Sequence, residues 1–315
     1  MAKNNIPEVD IVVDEEAGVI REVKPQGRLR SKKGHERRVN TAIYITLVVM
    51  SVVWLVPFVF LVLQSFRSYA TENGGMVNYL LPKVFSLDNY KWLLFDESSH
   101  FLRWYGNTLI IAAFVAVLQT IIVLSVSYSL SRLRFKGRKL IMNVVLVLGL
   151  FPGFLTMITL YFLLKQLGLT QSGAIPGLIL IYVASSGMGY YISKGFFDTI
   201  PKSLDESARI DGATRAQVFY KIIMPLAKPI VIYTILMAFM APWGDYVFAS
   251  YVAFGSEPNY NVAVGLYRWV NVADYQGYFT RFCAGGVLVA VPITALFMAL
   301  QKYYVEGVTG GAVKG

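Results

Sequence analysis

The chain has 315 residues, of which 56% are hydrophobic and only 15% are charged. A soluble globular protein typically carries about 25% charged residues, and several apolar runs here exceed the roughly 18 residues that indicate a bilayer-spanning helix. The composition therefore excludes a soluble fold and predicts an all-α, polytopic membrane protein. The single cysteine, Cys283, excludes an internal disulfide and a cysteine-based metal site. The net charge of +10 is attributed to basic cytoplasmic loops rather than to nucleic-acid binding.

The N-terminal region, residues 1–40, is predicted to be a cytoplasmic tail. Residues 1–20 are mixed and acidic with no helical or strand period, which indicates a mobile segment, and residues 21–38 are basic. The apolar run from about Thr41 to Leu63 follows. It is too long for a signal peptide and lacks a small-residue cleavage pattern, so it is predicted to be an uncleaved first span.

Five further apolar runs complete a predicted six-span domain over residues 41–315. They cover about 107–130, 140–164, 173–197, 229–253 and 282–304. The polar segments between and after them are outer loops 65–106 and 254–281, the segment 200–227 and the tail 305–315. Within the first outer loop, the sequence from Ser86 to Tyr90 predicts the start of a short interfacial helix.

The distribution of basic residues fixes the predicted orientation. Of the 29 Lys and Arg residues, 22 lie in segments that a six-span chain with an inside N-terminus places in the cytoplasm. Basic residues favour the cytoplasmic side of a membrane. Both termini and the segment 200–227 are therefore predicted to be cytoplasmic, and both long loops extracytoplasmic.

The segment 200–227 has the pattern of two short helices. Ser203 followed by Glu206 is a capping-box signature, and Gly212 is the residue type that ends helices in a left-handed conformation. A second helix ending at Pro225 would then present one apolar face, formed by Val218, Phe219, Ile222 and Ile223. The residues alone leave two interpretations open, a docking surface or a plain basic loop in which Glu206 is only a cap.

The spacing in this segment resembles a known signature. It runs Glu206-Ser-Ala, three residues, Gly212, nine residues, Ile222, one residue and Met224-Pro. It is similar to the cytoplasmic Glu-Ala-Ala signature of permease subunits of ATP-binding-cassette (ABC) importers, with Ser207 for Ala and Met224 for Leu. The resemblance implies a type I ABC importer permease fold and a coupling helix that docks on an ATPase subunit. The implied contacts are Glu206, Ser207, Ala208, Asp211, Gly212 and Ala213.

The resemblance also implies a set of partners and no catalytic role. The chain contains no GxxxxGK[ST] run, so ATP and Mg²⁺ are expected on two partner ATPase subunits and no cofactor on this chain. The implied assembly adds a second, homologous permease, an extracytoplasmic sugar-binding protein and membrane lipid. His35 and His100 are isolated in the sequence, and no metal site is predicted.

Further motifs are most like those of the smaller permease of maltose-type importers. They are SLDNY (86–90), NTL (107–109), YNVAVGLY (260–267) and the ending GVTGGAVKG (307–315). They imply uptake of maltose or malto-oligosaccharides across the bacterial cell membrane by alternating access. Another oligosaccharide, a glycerol-phosphate-type solute or an ion-coupled secondary transporter are the alternatives. The tail residues implied to contact the ATPase are Gly310, Gly311, Lys314 and Gly315, although small residues at a terminus are also typical of fraying.

Two further groups of residues are candidates for binding. In the outer loop, the resemblance implies contact with the binding protein through Tyr260, Asn261, Tyr267, Arg268 and Trp269, and interfacial anchoring by the aromatic rings is the alternative. Within the fifth span, an ionisable residue is a functional candidate, so Trp243, Asp245 and Tyr246 are predicted to line the substrate pathway. The alternative for Asp245 is a structural role at a helix kinked by Pro242.

Overall fold

The computed structural model describes residues 11–14, 19–22, 28–68, 81–150, 153–271 and 278–312. Nearly all of these residues are helical, as predicted. The exception is an antiparallel pair formed by strands β1 (Ile11–Asp14) and β2 (Val19–Glu22), with Ile11 opposite Glu22. The prediction that residues 1–20 carry no regular structure is wrong in this part. Both strands are rich in Val and Ile, the β-branched residues that favour strands.

The helices are numbered in chain order. They are α1 (Arg28–Ser65), α2 (Asp88–Phe95), α3 (Phe101–Arg132), α4 (Arg138–Gly149), α5 (Gly153–Gln166), α6 (Ala174–Ala184), α7 (Gly187–Thr199), α8 (Lys202–Ile210), α9 (Arg215–Gln217), α10 (Met224–Leu226), α11 (Lys228–Gly244), α12 (Val247–Val252), α13 (Val262–Asn271) and α14 (Phe279–Ala312). A π-helical segment, Val218–Ile223, joins α9 to α10. The chain forms two compact units, residues 1–60 and 61–315.

Three helices of the described chain are long and apolar enough to cross a bilayer. They are Arg37–Ser65 within α1, α3, and the Phe279–Tyr303 part of α14. Three bent helix pairs pass the same test when each is taken as one span, α4 with α5, α6 with α7, and Arg215–Leu226 with α11. By length and composition, the described residues thus contain three to six candidate spans. Several predicted spans are broken, because α6 and α7 meet at 40° and α11 ends at Gly244, before α12.

Helix α3 is the centre of the second unit. Its buried side chains include Trp104, Thr108, Ile111 and Val115, a spacing of three or four residues that places them on one face. Helix α3 packs against α6, α7 and α11, and α11 also packs against α14. The two ends of α3, called here the Phe101 end and the Arg132 end, therefore each have their own surrounding cluster.

A buried polar network organises the Phe101 end. The predicted helix start at residues 86–90 is confirmed, because α2 begins at Asp88. The next residue, Asn89, is fully buried. Its amide donates to the carbonyl oxygens of Ser65 at 3.0 Å and Arg67 at 2.8 Å, and its Oδ1 accepts from the Thr280 hydroxyl at 3.1 Å. One side chain therefore links the end of α1, α2 and the start of α14.

Candidate functional site

The segment 200–227, called here the docking segment, begins with helix α8. This helix starts at Lys202 with Pro201 as its N-cap residue and has no side-chain cap. The capping box predicted from Ser203 and Glu206 is therefore wrong, since Ser203 already lies inside the first turn. Pro201, with φ −58° and ψ 131°, has the extended backbone typical of an N-cap residue, and the helix begins directly after it. The Glu206 carboxylate is thus not used as a cap, and the side chain is exposed.

The prediction for Gly212 is confirmed. Its φ is +85°, the left-handed region that glycine adopts without steric cost. The Ala213 N–H donates to the Ala208 carbonyl at 2.9 Å, and the Gly212 N–H donates to the Arg209 carbonyl at 3.1 Å. These two bonds form a Schellman motif, which satisfies the last carbonyls of α8. The chain therefore reverses sharply at Gly212.

The helix that follows is capped and buried on one side. Thr214 and Gln217 form a capping box, at 3.3 and 2.8 Å. The predicted apolar face is confirmed, because Val218, Phe219 and Ile223 are buried and Ile222 is partly buried. Val218, Ile222 and Ile223 pack with Phe197 in the cluster around the Arg132 end of α3, and the Phe219 ring lies 4.7 Å from that of Tyr128, between centroids. The segment is therefore anchored to the spans through its second half.

The first half presents an exposed face. Of the six residues implied to contact an ATPase, four are exposed: Glu206, Ser207, Asp211 and Gly212. Ala213 is half-buried, and Ala208 is buried, where its small side chain lets α8 lie against the apolar cluster. Ile210, which sequence reasoning did not select, is 86% exposed.

An ion pair fastens α8 to the end of α3. Arg132 Nε lies 2.9 Å from Asp205 Oδ2, and Arg132 Nη2 donates to the Ile200 carbonyl at 2.8 Å. Burial raises the pKa of the Asp205 carboxyl above its usual range, and the neighbouring Arg132 guanidinium offsets part of that rise. Sequence reasoning counted Arg132 only as a basic residue and missed this pair.

At the opposite end, the predicted outer loop 254–281 is partly helical. It contains a short turn, Glu257–Asn259, and helix α13. The turn is held on α3, because the Asn107 amide donates to the carbonyls of Pro258 and Tyr260, both at 2.9 Å. The Thr108 hydroxyl accepts from the Val262 N–H at 2.7 Å. Asn107 and Thr108, the first two residues of the NTL motif, thus hold residues 258–262 against α3.

The five residues implied to contact a binding protein divide into two groups. Asn261 is fully buried and Trp269 is 4% exposed, so in this conformation neither side chain belongs to a contact surface. Asn261 instead accepts from the Val264 N–H at 2.9 Å and donates to the Asp245 carbonyl at 2.7 Å. Tyr267 and Arg268 are exposed and Tyr260 is half-buried. The implied contact stays a prediction for these three.

Asp245 lies at the break between α11 and α12. Its Oδ2 accepts from the Tyr182 hydroxyl at 2.5 Å, and its Oδ1 accepts from the Phe248 N–H at 3.0 Å. Both carboxylate oxygens thus accept hydrogen bonds from within the protein. This is what the structural role, the alternative to a pathway role, predicts. Trp243 is buried against Tyr105 at 5.3 Å between ring centroids, and Tyr246 is half-buried.

The C-terminal tail contains the remaining residues that were predicted to contact the ATPase. Gly310 and Gly311 lie in α14, whose backbone is described to Ala312. Lys314 and Gly315 lie outside the described residues. Across the described ranges, no group of three or more His, Cys, Asp or Glu side chains is placed to hold a metal ion.

The apolar helices and the anchored helix pair between them define a polytopic membrane protein. Residues 121–310 match the family described as "Binding-protein-dependent transport system inner membrane component". The chain belongs to this family, and the predicted membership in the ABC importer permeases is confirmed.

Two curated relatives and one solved structure extend the comparison. The maltodextrin permease MdxG of Bacillus subtilis is 37% identical over 86% of this chain and 95% of its own length. The galactooligosaccharides permease GanQ of the same species is 36% identical over 86% and 94%. A chain from the crystal structure of a bacterial ABC transporter that imports alginate has a TM-score of 0.72 at 23% identity, over 90% of this chain and all of its own.

Proposed function

We propose that this chain is the non-catalytic membrane subunit of an ATP-driven, binding-protein-dependent importer of oligosaccharides. The observation that supports this most strongly is the docking segment, in which Glu206, Ser207 and Asp211 are exposed just before the sharp turn at Gly212, whose φ is +85°. The partners are two ATPase subunits, which hold ATP and Mg²⁺, a second homologous permease and an extracytoplasmic binding protein. The chain itself carries no cofactor.

The geometry supports a route for coupling. A movement of the ATPase against α8 acts on Asp205 and therefore on Arg132, which ends α3. It also acts on the apolar cluster under Val218 and Ile223, from which the chain turns by 83° into α11. Because α3 and α11 pack on each other, both spans respond together. Such a transmission of movement from the ATPase to the spans is what an alternating-access mechanism requires.

Malto-oligosaccharides are the proposed substrate, and galacto-oligosaccharides are the second candidate. The relatives named for these sugars are 37% and 36% identical, which does not separate the two. The motifs of the smaller maltose-type permease favour the first. Specificity in such systems depends on the binding protein as well as on the permease.

The test uses the complex that purifies through a tag on this chain, reconstituted in liposomes with ATP inside. We expect uptake of labelled maltotriose and ATP hydrolysis stimulated by the binding protein. If no ATPase copurifies, or uptake follows an ion gradient without ATP, the proposal is wrong. Uptake of galacto-oligosaccharide alone would correct only the substrate.

A matched pair of variants tests the docking segment. Proline cannot adopt the φ of +85° at Gly212 and removes its N–H donor. Gly212→Pro is expected to leave insertion intact but to separate ATP hydrolysis from uptake. Gly168→Pro is the control, because Gly168 also has a left-handed φ, +70°, and donates to an i−3 carbonyl at 3.1 Å, but lies outside the segment. Equal coupling in both variants would contradict the docking role.

A further inference from the structure

A basic cavity lies between the Arg132 end of α3, the turn to α4, and α8. Its volume is about 440 Å³. Six basic residues line it: Arg132, Arg134, Arg138, Lys202, Arg209 and Arg215, against two carboxylates, those of Asp205 and Glu206. The lining therefore carries a surplus of positive charge, and a cavity lined by one sign of charge concentrates ions of the opposite sign.

The buried guanidinium in this lining is incompletely satisfied. The Arg132 side chain is only 5% exposed. Its Nε faces Asp205 and its Nη2 donates to the Ile200 carbonyl, but Nη1 is buried and has no hydrogen-bond partner within the described part of the chain. A buried donor without an acceptor is costly. Phosphate oxygens, like carboxylate oxygens, are acceptors that a guanidinium group binds with strong, charge-assisted hydrogen bonds.

The same cavity offers an acceptor as well. Asp205 Oδ1 is buried and has no hydrogen-bond partner among the described residues. Burial raises the pKa of this carboxyl, which reflects the same incomplete solvation. A hydroxyl on the ligand would donate to this oxygen. The complementary ligand thus carries a phosphate together with a hydroxyl group.

A second cavity indicates that the phosphate belongs to a lipid. It has a volume of about 530 Å³, shares Arg134 and Arg138 with the first, and is also lined by Phe135 and Leu140. Phe135 is 43% exposed and Leu140 is 67% exposed. Apolar side chains beside guanidinium groups at the end of a span suit an acyl chain below a headgroup. A free phosphate would leave them unused.

We propose that the two cavities, which share Arg134 and Arg138 in their linings, together bind an anionic phospholipid with a phosphate and a hydroxyl-bearing headgroup, the chemistry of phosphatidylglycerol. The phosphate lies between Arg132, Arg134 and Arg138, a headgroup hydroxyl donates to Asp205, and an acyl chain lies along Phe135 and Leu140. Because Asp205 belongs to α8, the lipid joins the docking segment to the end of α3. Bound lipid thereby stiffens the connection between the two.

The test measures lipid retention on the purified full-length chain by native mass spectrometry. The probes are phosphatidylglycerol, phosphatidylcholine and inorganic phosphate. We expect phosphatidylglycerol to remain bound and to raise the thermal midpoint, and the other two to do neither. Equal effects of the two lipids would overturn the proposal. An effect of inorganic phosphate alone would identify a soluble phosphate site and overturn the lipid source.

Paired charge removals locate the site. The double variant Arg134→Gln, Arg138→Gln leaves the buried Arg132 in place and is expected to weaken phosphatidylglycerol retention roughly tenfold or more. The control, Lys221→Gln with Lys228→Gln, removes the same charge from exposed residues outside both cavities and is expected to stay within about twofold. Equal losses in both would show general surface attraction and overturn the site. Transport is not part of the readout, so failure here leaves the proposed function standing.

Discussion

Arg132 Nε lies 2.9 Å from Asp205 Oδ2, and both side chains are mostly buried, at 5% and 15% exposed. The two residues are far apart in the chain, one at the end of α3 and one in α8. The contact makes α8 part of the packed structure rather than a loose connector. It also makes the docking segment depend on a buried charge pair, which is strongly destabilising to break from one side.

Replacing Arg132 with Gln is expected to destabilise the protein by about 3 kcal/mol at pH 7. The variant leaves the Asp205 carboxylate buried without its cation, so the raised pKa of Asp205 rises further. A raised carboxyl pKa gives stability that is present at low pH and lost as the pH rises through that pKa. The loss relative to the unmodified protein is therefore expected to shrink near pH 4. Thermal midpoints in detergent across pH 4–8 measure it.

The control for this variant is Lys136→Gln, which removes an exposed cation four residues away that lines neither cavity and is expected to change the midpoint little. Adding Asp205→Asn to Arg132→Gln is expected to restore part of the loss at pH 7, because the unpaired carboxylate is removed. A loss in Arg132→Gln that does not vary with pH would refute the electrostatic explanation.

Asn89 is expected to be the most sensitive polar residue of the Phe101 end. Asn89→Ala leaves the carbonyls of Ser65 and Arg67 without the amide that now donates to both, and the Thr280 hydroxyl without its acceptor. Each unsatisfied buried group costs about 1–3 kcal/mol, so a total loss of about 3 kcal/mol is expected from unfolding curves. The control is Asn271→Ala at an exposed position, which is expected to stay within about 0.5 kcal/mol. Similar losses in the two variants would contradict the network.

A pair of glycines tests the packing of α13 on α3. A Cβ at Gly265 would overlap the Trp104 ring, whereas a Cβ at Gly106 would meet nothing within 4 Å. Gly265→Ala is expected to destabilise the protein by about 1–3 kcal/mol through overpacking. Gly106→Ala is expected to be neutral or to stabilise by up to about 1 kcal/mol, since alanine favours helices. Thermal midpoints of both variants, measured side by side, check this, and the opposite order would show that α13 does not pack as described.

Local sequence patterns predicted the features that depend on local physics. The long apolar run of α3, the start of α2 at Asp88 and the left-handed Gly212 follow from composition and from residue-specific backbone preferences. The apolar face of Val218, Phe219 and Ile223 follows from helical spacing in the same way.

Features that depend on distant partners could not be predicted. Asn261 has the polar character of a surface contact residue, but its partners include the Asp245 carbonyl at the break between α11 and α12. Helix α13 is short, and its burial depends on Trp104 of α3. The predicted capping box is wrong although Ser203 and Glu206 fit the pattern, because the helix already begins at Lys202 and Ser203 lies inside its first turn.

Variants of Asp245 distinguish a structural role of its carboxylate from a role in the substrate pathway. Its carboxylate accepts from the Tyr182 hydroxyl and the Phe248 N–H, so Tyr182→Phe and Asp245→Ala are expected to lower stability by amounts that do not add. A coupling of about 1–2 kcal/mol is expected from the double-mutant cycle, as for hydrogen bonds to a charged group.

The control for that cycle is Tyr251→Phe, which removes a hydroxyl from a side chain that is 60% exposed and is expected to show no coupling to Asp245. Transport in the reconstituted complex gives the second readout. A structural role lowers the thermal midpoint and leaves the KM for sugar unchanged in the molecules that remain folded. If Asp245→Ala instead keeps the midpoint and raises the KM, the carboxylate faces the substrate, and the hydrogen bond to Tyr182 positions it for that contact.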